Sequence, residues 1–368
     1  MKNIYPRIII GSGGTGGHIY TGIAIADELK NQFPETDILF IGSKKNMEMQ
    51  EIPKFGYQIE SICISGGKKK IFSISVFNLF IDLIYSCFLA NKIIKKFSPN
   101  IVIGTGGYVS FPTLYAAKRN KIPILIQEQN SFPGLTNRIF SSYAKKICLA
   151  YEEAEKYFPP KKTIITGNPI RSEILQLPSK EEACFHLGLK IEKPIILSIG
   201  GSQGSNSINN AWVKGLKQLI HLDIQLIWQL GKVDIHRIKE NSSISHHANF
   251  LLMEFINNIT ICYAAADIIV SRAGALTISE ICLIGKPYIL IPLPWASNDH
   301  QNKNAKILEN KEAALIIKNE DLDKKLVDST IKLLNNPSMR KKMSKNLLQL
   351  GKPKATNDIV NEILQIIL

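Results

Sequence analysis

Arg7-Ile8-Ile9-Ile10-Gly11-Ser12-Gly13-Gly14-Thr15-Gly16-Gly17-His18, running into a helical pattern from Ile19 to Phe33, is the stretch on which the fold turns. The isoleucines read as a strand. The glycines let the backbone turn sharply and come close to a phosphate, and the following helix offers unpaired N–H groups and the positive end of its dipole. Gly11, Gly13 and Gly16 satisfy the G-x-G-x-x-G spacing of dinucleotide-binding enzymes, so an NAD(P)-dependent oxidoreductase is one reading. That chemistry needs an acid closing the second strand to hold the adenosine ribose. Here the second strand ends Ile41-Gly42-Ser43-Lys44. Two more strand–glycine–helix turns follow, Gly104-Thr105-Gly106-Gly107 and Gly200-Gly201-Ser202-Gln203-Gly204. Three anion-binding turns suit a diphosphate-sugar donor and a second phosphorylated substrate better than they suit one dinucleotide.

Working outward, short apolar runs alternate with helix-length segments along the whole chain, the pattern of β-α units and parallel sheets. Strands are expected at Ile8–Ile10, Ile38–Ile41, Ile59–Ile64, Ile101–Ile103, Ile122–Ile126, Ile147–Leu149 and Ile164–Ile165. A second series covers Ile195–Ile199, Ile224–Trp228, Phe250–Leu252, Ile268–Val270, Tyr288–Ile291 and Ala314–Ile316. Two series of similar length predict an α/β protein of two Rossmann-like domains, with a linker near Gly167–Leu177 and a deep cleft between them. Open α/β sheets bind ligands beyond the carboxyl ends of their strands, so the residues that follow each strand are the ones to read for function.

The 368-residue chain carries 45 Lys and Arg against 31 Asp and Glu, a formal charge of +14. Base-reading proteins cluster arginines among aromatics; no such cluster occurs, so nucleic acid is not expected as a partner. From Ser61 to Lys121 nine basic residues, including Lys68, Lys69, Lys70, Lys92, Lys95 and Lys96, stand against Asp82 alone. They flank Ile71–Asn91, an apolar segment in which Ser75, Asn78, Asp82 and Ser86 recur at helical spacing as a polar stripe. That stripe reads as an amphipathic crossover helix rather than a membrane span. With Ile71, Phe72, Val76, Phe77 and Phe80 exposed, the segment would suit an anionic leaflet; a solvated charged face beside a packed helix is the plainer alternative. Six scattered cysteines without a C-x-x-C pair read as reduced thiols, and Met1 leads almost directly into the first strand without a signal segment, which points to a cytosolic protein.

His18 opens the first helix beside the glycine turn, where a general base could sit. Glu128, in Gln127-Glu128-Gln129-Asn130, ends another strand and could orient a sugar or act as an alternative base. Glu280 lies one turn into the helix after Arg272-Ala273-Gly274-Ala275-Leu276-Thr277; it could accept from two ribose hydroxyls or simply favour the helix dipole. Asp299-His300-Gln301-Asn302 follows the strand Tyr288–Ile291. No carboxylate and histidine cluster has metal-ligand spacing, so no metal is expected.

Taken in order, Gly13-Gly14-Thr15-Gly16-Gly17-His18, Gly106-Gly107-Tyr108-Val109-Ser110, Glu128-Gln129-Asn130, Gly167-Asn168-Pro169-Ile170-Arg171, Gly200-Gly201-Ser202-Gln203-Gly204 and Ser279-Glu280 resemble the successive signatures of the MurG family of cell-wall glycosyltransferases. The resemblance spans almost the whole chain. It implies a GT-B fold, with residues 1–170 as an acceptor and membrane-side domain, 171–352 as the UDP-GlcNAc donor domain, and a last helix at 356–368 returning to the first domain. It implies inverting transfer of GlcNAc from UDP-GlcNAc to the muramyl 4-hydroxyl of lipid I, giving lipid II for peptidoglycan, and so cell-wall biogenesis, cell shape and cell division. Another UDP-sugar glycolipid transferase is the nearest alternative, and a noncatalytic membrane-bound scaffold a third.

By the same resemblance His18 and Glu128 are the catalytic candidates, and Thr15, Gly16, Gly17, Tyr108 and Gln203 join the substrate-binding set. Glu280 would bind the ribose, Ser202 and Arg171 the phosphate side, and backbone near Phe255-Ile256 the uracil. Asn130, Ala275, Leu276 and Gln301 would contact the GlcNAc. No cofactor is implied; the partners are UDP-GlcNAc, lipid I, an anionic membrane surface at the cytoplasmic face of the inner membrane and other proteins of cell-wall synthesis. Three departures stand out. Gln127 replaces the family's usual histidine, Thr21-Gly22 its usual Pro-Ala, and Gly67-Lys68-Lys69-Lys70 only roughly matches its glycine-rich basic acceptor loop.

Overall fold

The computed structural model describes residues 6–64, 75–201, 203–240, 242–245 and 247–367. Two compact units form, one from Met1–Ile170 with Lys354–Leu368 and the other from Arg171–Pro353.

In the first unit the strands are β1 (Arg7–Gly11), β2 (Asp37–Ser43), β3 (Gln58–Ile62), β4 (Ile101–Gly104), β5 (Ile124–Glu128), β6 (Lys146–Leu149) and β7 (Thr163–Ile165). They pair in parallel in the order β3-β2-β1-β4-β5-β6-β7. β5 starts at Ile124 rather than Ile122, because Pro123 has no N–H to give the ladder. Ile8, Ile9 and Ile10 are each fully buried, as a central parallel strand covered on both faces requires. Their side chains alternate between two cores. Ile9 packs with Val102, Ile126 and Ile94, while Ile8 and Ile10 pack with Ile19, Ile23 and Phe40.

The second of these cores also takes in Ile359, Val360 and Ile363 from the C-terminal helix Ala355–Ile367. That helix is pinned at its start by Thr356, whose hydroxyl meets both the N–H and the carbonyl of Ile170 at 3.2 Å. Lys146 reaches its Glu362 at 3.3 Å. The last residues of the chain therefore complete the first unit.

The second unit holds β8 (Ile195–Ile199), β9 (Gln225–Gln229), β10 (Phe250–Met253), β11 (Ile268–Arg272), β12 (Tyr288–Ile291) and β13 (Leu315–Ile316), also parallel, in the order β10-β9-β8-β11-β12-β13. Each sheet reverses its strand order once beside its first strand, between β1 and β4 and between β8 and β11. In open α/β sheets the carboxyl edge at such a reversal is the natural ligand site.

In the middle of the helix Ser75–Phe97 apolar side chains face outward. Ser86 from the expected polar stripe is fully buried, while Ile81, Ile84, Tyr85 and Phe88 are exposed at 46%, 55%, 51% and 63%. Ala90 and Ile94 turn into the core. Further along the outer stripe come Lys92, Lys95 and Lys96, all exposed. Lys68–Lys70, Ile71 and Phe72 lie outside the described residues, as do the side chains of Val76, Phe77 and Phe80. No helix among the described residues is long and apolar enough to cross a membrane. Four of the six free cysteines are buried, Cys87 is half-buried and Cys63 exposed.

Truncating Ile363 to alanine should empty part of the core it shares with β1 and destabilise the first unit by about 2–5 kcal/mol. Hydrogen exchange checks this: amides of β1 should lose protection in Ile363→Ala, while those of β8 keep theirs.

Candidate functional site

At the reversal point of the first sheet two glycine turns meet. The turn after β1 leads into the helix Gly16–Gln32, with Thr15 at its N-cap in extended conformation and Thr15 and Gly17 exposed. The turn after β4 packs directly on it. A side chain at Gly107 (φ +78°) would stand 2.6 Å from the Gly13 carbonyl and 2.9 Å from the His18 ring, so only glycine fits. Ser12 and Thr105 donate their hydroxyls to the His18 carbonyl at 2.7 and 3.1 Å, which fixes where the helix begins. His18 is half-buried, and its Nδ1 lies 2.9 Å from Gln129 Oε1.

Glu48 follows no strand directly, so the pattern of strand ends does not mark it. It is fully buried and accepts from Gly14 N–H (3.2 Å), Ser43 N–H (2.9 Å) and Asn46 Nδ2 (3.2 Å). The same Asn46 amide donates to the Tyr108 hydroxyl at 2.7 Å. A buried carboxylate thus braces the first glycine turn from beneath, satisfied by neutral donors as burial requires. The only sequence signal was the small residues Gly13 and Gly42, where a Cβ would strike Glu48.

Glu128 closes β5 at 1% exposure. Its carboxylate accepts from Asn130 N–H (3.0 Å), Gly134 N–H (3.0 Å) and the side chains of Asn137 (2.8 Å) and Asn130 (3.2 Å). Burial pushes its pKa up and these bonds pull it back. The geometry gives Glu128 the task of anchoring the Asn130 loop. Gln127, in place of the histidine of the resembling family, donates to Asn168 Oδ1 at 3.1 Å and accepts from Gln129. The position needs one donor and one acceptor, which a carboxamide and a neutral imidazole both supply.

In the second unit the predicted residues again gather at the carboxyl edge. Gln203 lies exposed after β8, and Ser202 lies outside the described residues. Ile256 is buried in the loop after β10. Ala275 and Leu276 form the first turn of the helix Ala275–Ile284, with Gly274 as N-cap. Gln301, in the helix His300–Asn310, accepts from the Leu293 N–H at 2.9 Å. Glu280 is not open to a ligand alone. Arg171 Nη2 approaches it at 3.4 Å, and Tyr263, a partner hidden in an apolar run, donates its hydroxyl at 2.9 Å. Arg171, expected on the phosphate side, thus sits against Glu280. Burial raises the Glu280 pKa; Arg171 and the Tyr263 hydroxyl lower it, and burial prevails.

Arg272, the last residue of β11, ties this edge together. Its guanidinium donates to Ser205 and Ser207 after β8 (both 2.7 Å), to Asn319 (2.9 Å), and to the Ile291 and Pro292 carbonyls at the end of β12 (3.3 and 3.4 Å). Every one of these acceptors is neutral. Burial pushes its pKa down to about 10, which leaves it a cation at neutral pH. A charge so placed adds positive potential beside the β8 glycine turn.

Two parallel-sheet units, each reversing its order at a glycine turn, have the architecture of GT-B proteins, a class that includes many glycosyltransferases. The glycosyltransferase family 28 N-terminal domain matches residues 8–149, and the glycosyltransferase family 28 C-terminal domain matches residues 195–360. The chain is 43% identical over 362 residues to the UDP-N-acetylglucosamine--N-acetylmuramyl-(pentapeptide) pyrophosphoryl-undecaprenol N-acetylglucosamine transferase of Christiangramia forsetii, with 98% of each chain covered. To the protein of that name from Cytophaga hutchinsonii it is 43% identical over 364 residues, covering 98% of this chain and 97% of the other. The crystal structure of Acinetobacter baumannii MurG aligns at a TM-score of 0.75 and 27% identity, covering 98% and 99% of the two chains. The chain belongs to this MurG family of N-acetylglucosamine transferases.

Because the folded-state pKa of Glu280 is raised, its ionisation opposes folding. Stability of the second unit should fall as pH rises from the ordinary carboxylate range through the raised value. Arg171→Met removes the largest opposing influence and should move that loss to higher pH and deepen it. Glu280→Gln should remove it. Urea unfolding between pH 4 and 8 checks both, and identical pH slopes in all three proteins would overturn the assignment.

Proposed function

We propose that the protein transfers N-acetylglucosamine from UDP-GlcNAc to the muramyl 4-hydroxyl of undecaprenyl-pyrophosphoryl-MurNAc-pentapeptide, with inversion, yielding the disaccharide lipid precursor of peptidoglycan. The observation that carries this reading is the 43% identity to relatives named for that transfer, sustained over 98% of the chain. The geometry supports it. A single base close to a glycine turn suits direct displacement, in which the acceptor hydroxyl gives up its proton as it attacks the anomeric carbon and UDP departs. His18 takes that proton; Thr15, Gly16, Gly17 and Tyr108 belong to the acceptor-side turns around it, and Asn130 reaches the transferred GlcNAc.

In the donor unit the turn 200–204, with Ser202 and Gln203, holds the diphosphate. Glu280 accepts the ribose hydroxyls, Arg171 stays beside it, backbone at Ile256 meets the uracil, and Ala275, Leu276 and Gln301 contact the sugar. Helix N-termini and the Arg272 cation stabilise the departing diphosphate, without need of a metal. Incubation with radiolabelled UDP-GlcNAc and a short-chain acceptor analogue tests the reading: label should enter the lipid product. His18→Ala should lower kcat by about 10²–10⁴ with UDP-GlcNAc binding retained. A loss below about fivefold would take the base away from His18.

The acceptor is a membrane lipid, and the helix Ser75–Phe97 offers a surface for meeting it. Ile81, Ile84, Tyr85 and Phe88 would enter the interface of an anionic leaflet at the cytoplasmic face, with Lys92, Lys95 and Lys96 meeting headgroups at about 1 kcal/mol each. Ile84→Glu with Phe88→Glu should abolish most sedimentation with phosphatidylglycerol vesicles, and wild-type binding should weaken as salt rises. Undiminished binding by the double variant would remove this helix from the contact.

A further inference from the structure

His18 can act as a base only if the correct ring nitrogen carries the lone pair. Its Nδ1 faces Gln129 Oε1 at 2.9 Å. A carboxamide can be turned either way, so its orientation needs independent proof, and backbone carbonyls, which only accept, provide it. The Gln129 nitrogen sits 2.7 Å from the Thr105 carbonyl and 3.3 Å from the Gln127 carbonyl, so it must be the donor end. The oxygen is then forced toward His18.

The support behind Gln129 is anchored in the same way. Asn168 Nδ2 donates to the Gln129 carbonyl at 3.2 Å, which turns Asn168 Oδ1 toward Gln127 Nε2 at 3.1 Å. Gln127 Oε1 therefore faces Gln129 and accepts from it. Gln127, Gln129 and Asn168 are 0%, 2% and 3% exposed, so water offers little competition for these bonds. All three side chains are locked, each by a group that can play only one part.

We infer that Gln129 is a positioning residue that holds neutral His18 as the Nδ1–H tautomer, with Gln127 and Asn168 fixing the carboxamide that does so. The lone pair then lies on Nε2, the ring edge that faces Gly107. This rests on the reading of His18 as the base and adds what makes it competent. A carboxamide orients the ring without adding charge, so it leaves the imidazole less basic than a carboxylate partner would. The titratable groups around the ring are Glu128 behind Asn137, Glu48 beneath Gly14, and Tyr108 beside Gly107. None is altered in the test below.

The test is ¹⁵N NMR of the full-length, ¹⁵N-histidine-labelled protein, with the His18 signals assigned by their loss in His18→Ala. Wild-type His18 should be protonated at Nδ1 and bare at Nε2 above its titration; the opposite tautomer overturns the inference even if no variant folds. Gln129→Met should lose that preference and lower kcat by roughly ten- to a thousandfold, with the KM for UDP-GlcNAc nearly unchanged. Gln129→Glu keeps an acceptor and adds charge. It should restore the tautomer and move the acid limb of the kcat/KM profile to higher pH. A purely structural role would lower the melting temperature of both variants and leave tautomer and acid limb in place, which overturns the inference. If Gln129→Met changes the tautomer and not turnover, Gln129's hold on the ring stands and the base reading falls. If His18→Ala is inactive while the tautomer ignores Gln129, the base reading stands and the inference falls.

Discussion

A parallel strand covered on both faces can offer chemistry only at its ends, and that constraint organises both units. Ile8, Ile9 and Ile10 spend every side chain on one core or the other, as do the strands beside them. Function is confined to the loops at the carboxyl edge, where helix N-termini also bring their dipoles. The order reverses between β1 and β4 and between β8 and β11, and such reversal points are where open α/β sheets bind their ligands. Glycine turns stand at the first reversal because two backbones must come together there with no side chain between them.

Beneath that edge the polar groups are buried and must find partners within the protein. Glu48 and Glu128 are both buried carboxylates fed by neutral donors, and each stiffens a turn next to His18. Arg272 is the reverse case, a buried cation fed by neutral acceptors that draws together loops from three strands. Glu280 alone combines a cation with a hydroxyl. These groups do not reward the fold with much net energy, because desolvation offsets most of what their bonds return. Their effect is to leave each loop one arrangement.

The helix Ser75–Phe97 follows different physics. Its exposed face carries Ile84, Tyr85 and Phe88 before Lys92, Lys95 and Lys96, while Ser86 points into the protein. A helix that met only water would turn Ile84, Tyr85 and Phe88 inward. The proposed contact with an anionic leaflet would use both halves of the stripe.

Much of this was legible from residue order. Short apolar runs between helical periods marked all thirteen strands, and in the central ones two-sided burial writes itself into the sequence as unbroken hydrophobicity. Glycine clusters and His18 stood out because a turn against phosphate admits few other residues. The sequence could not order the strands, since a crossover may return on either side of its predecessor, and so it could not say that the turns after β1 and β4 meet. Nor could it reveal Glu48, Tyr263 or the role of Arg272, whose partners lie far away along the chain. The polar stripe of the helix Ser75–Phe97 was visible in the sequence, but its direction was not, because periodicity gives the spacing of a face and only packing decides which face turns inward. The Nδ1–H state of His18 belongs to the tertiary structure alone: it depends on two backbone carbonyls, Thr105 and Gln127, that no side-chain pattern encodes.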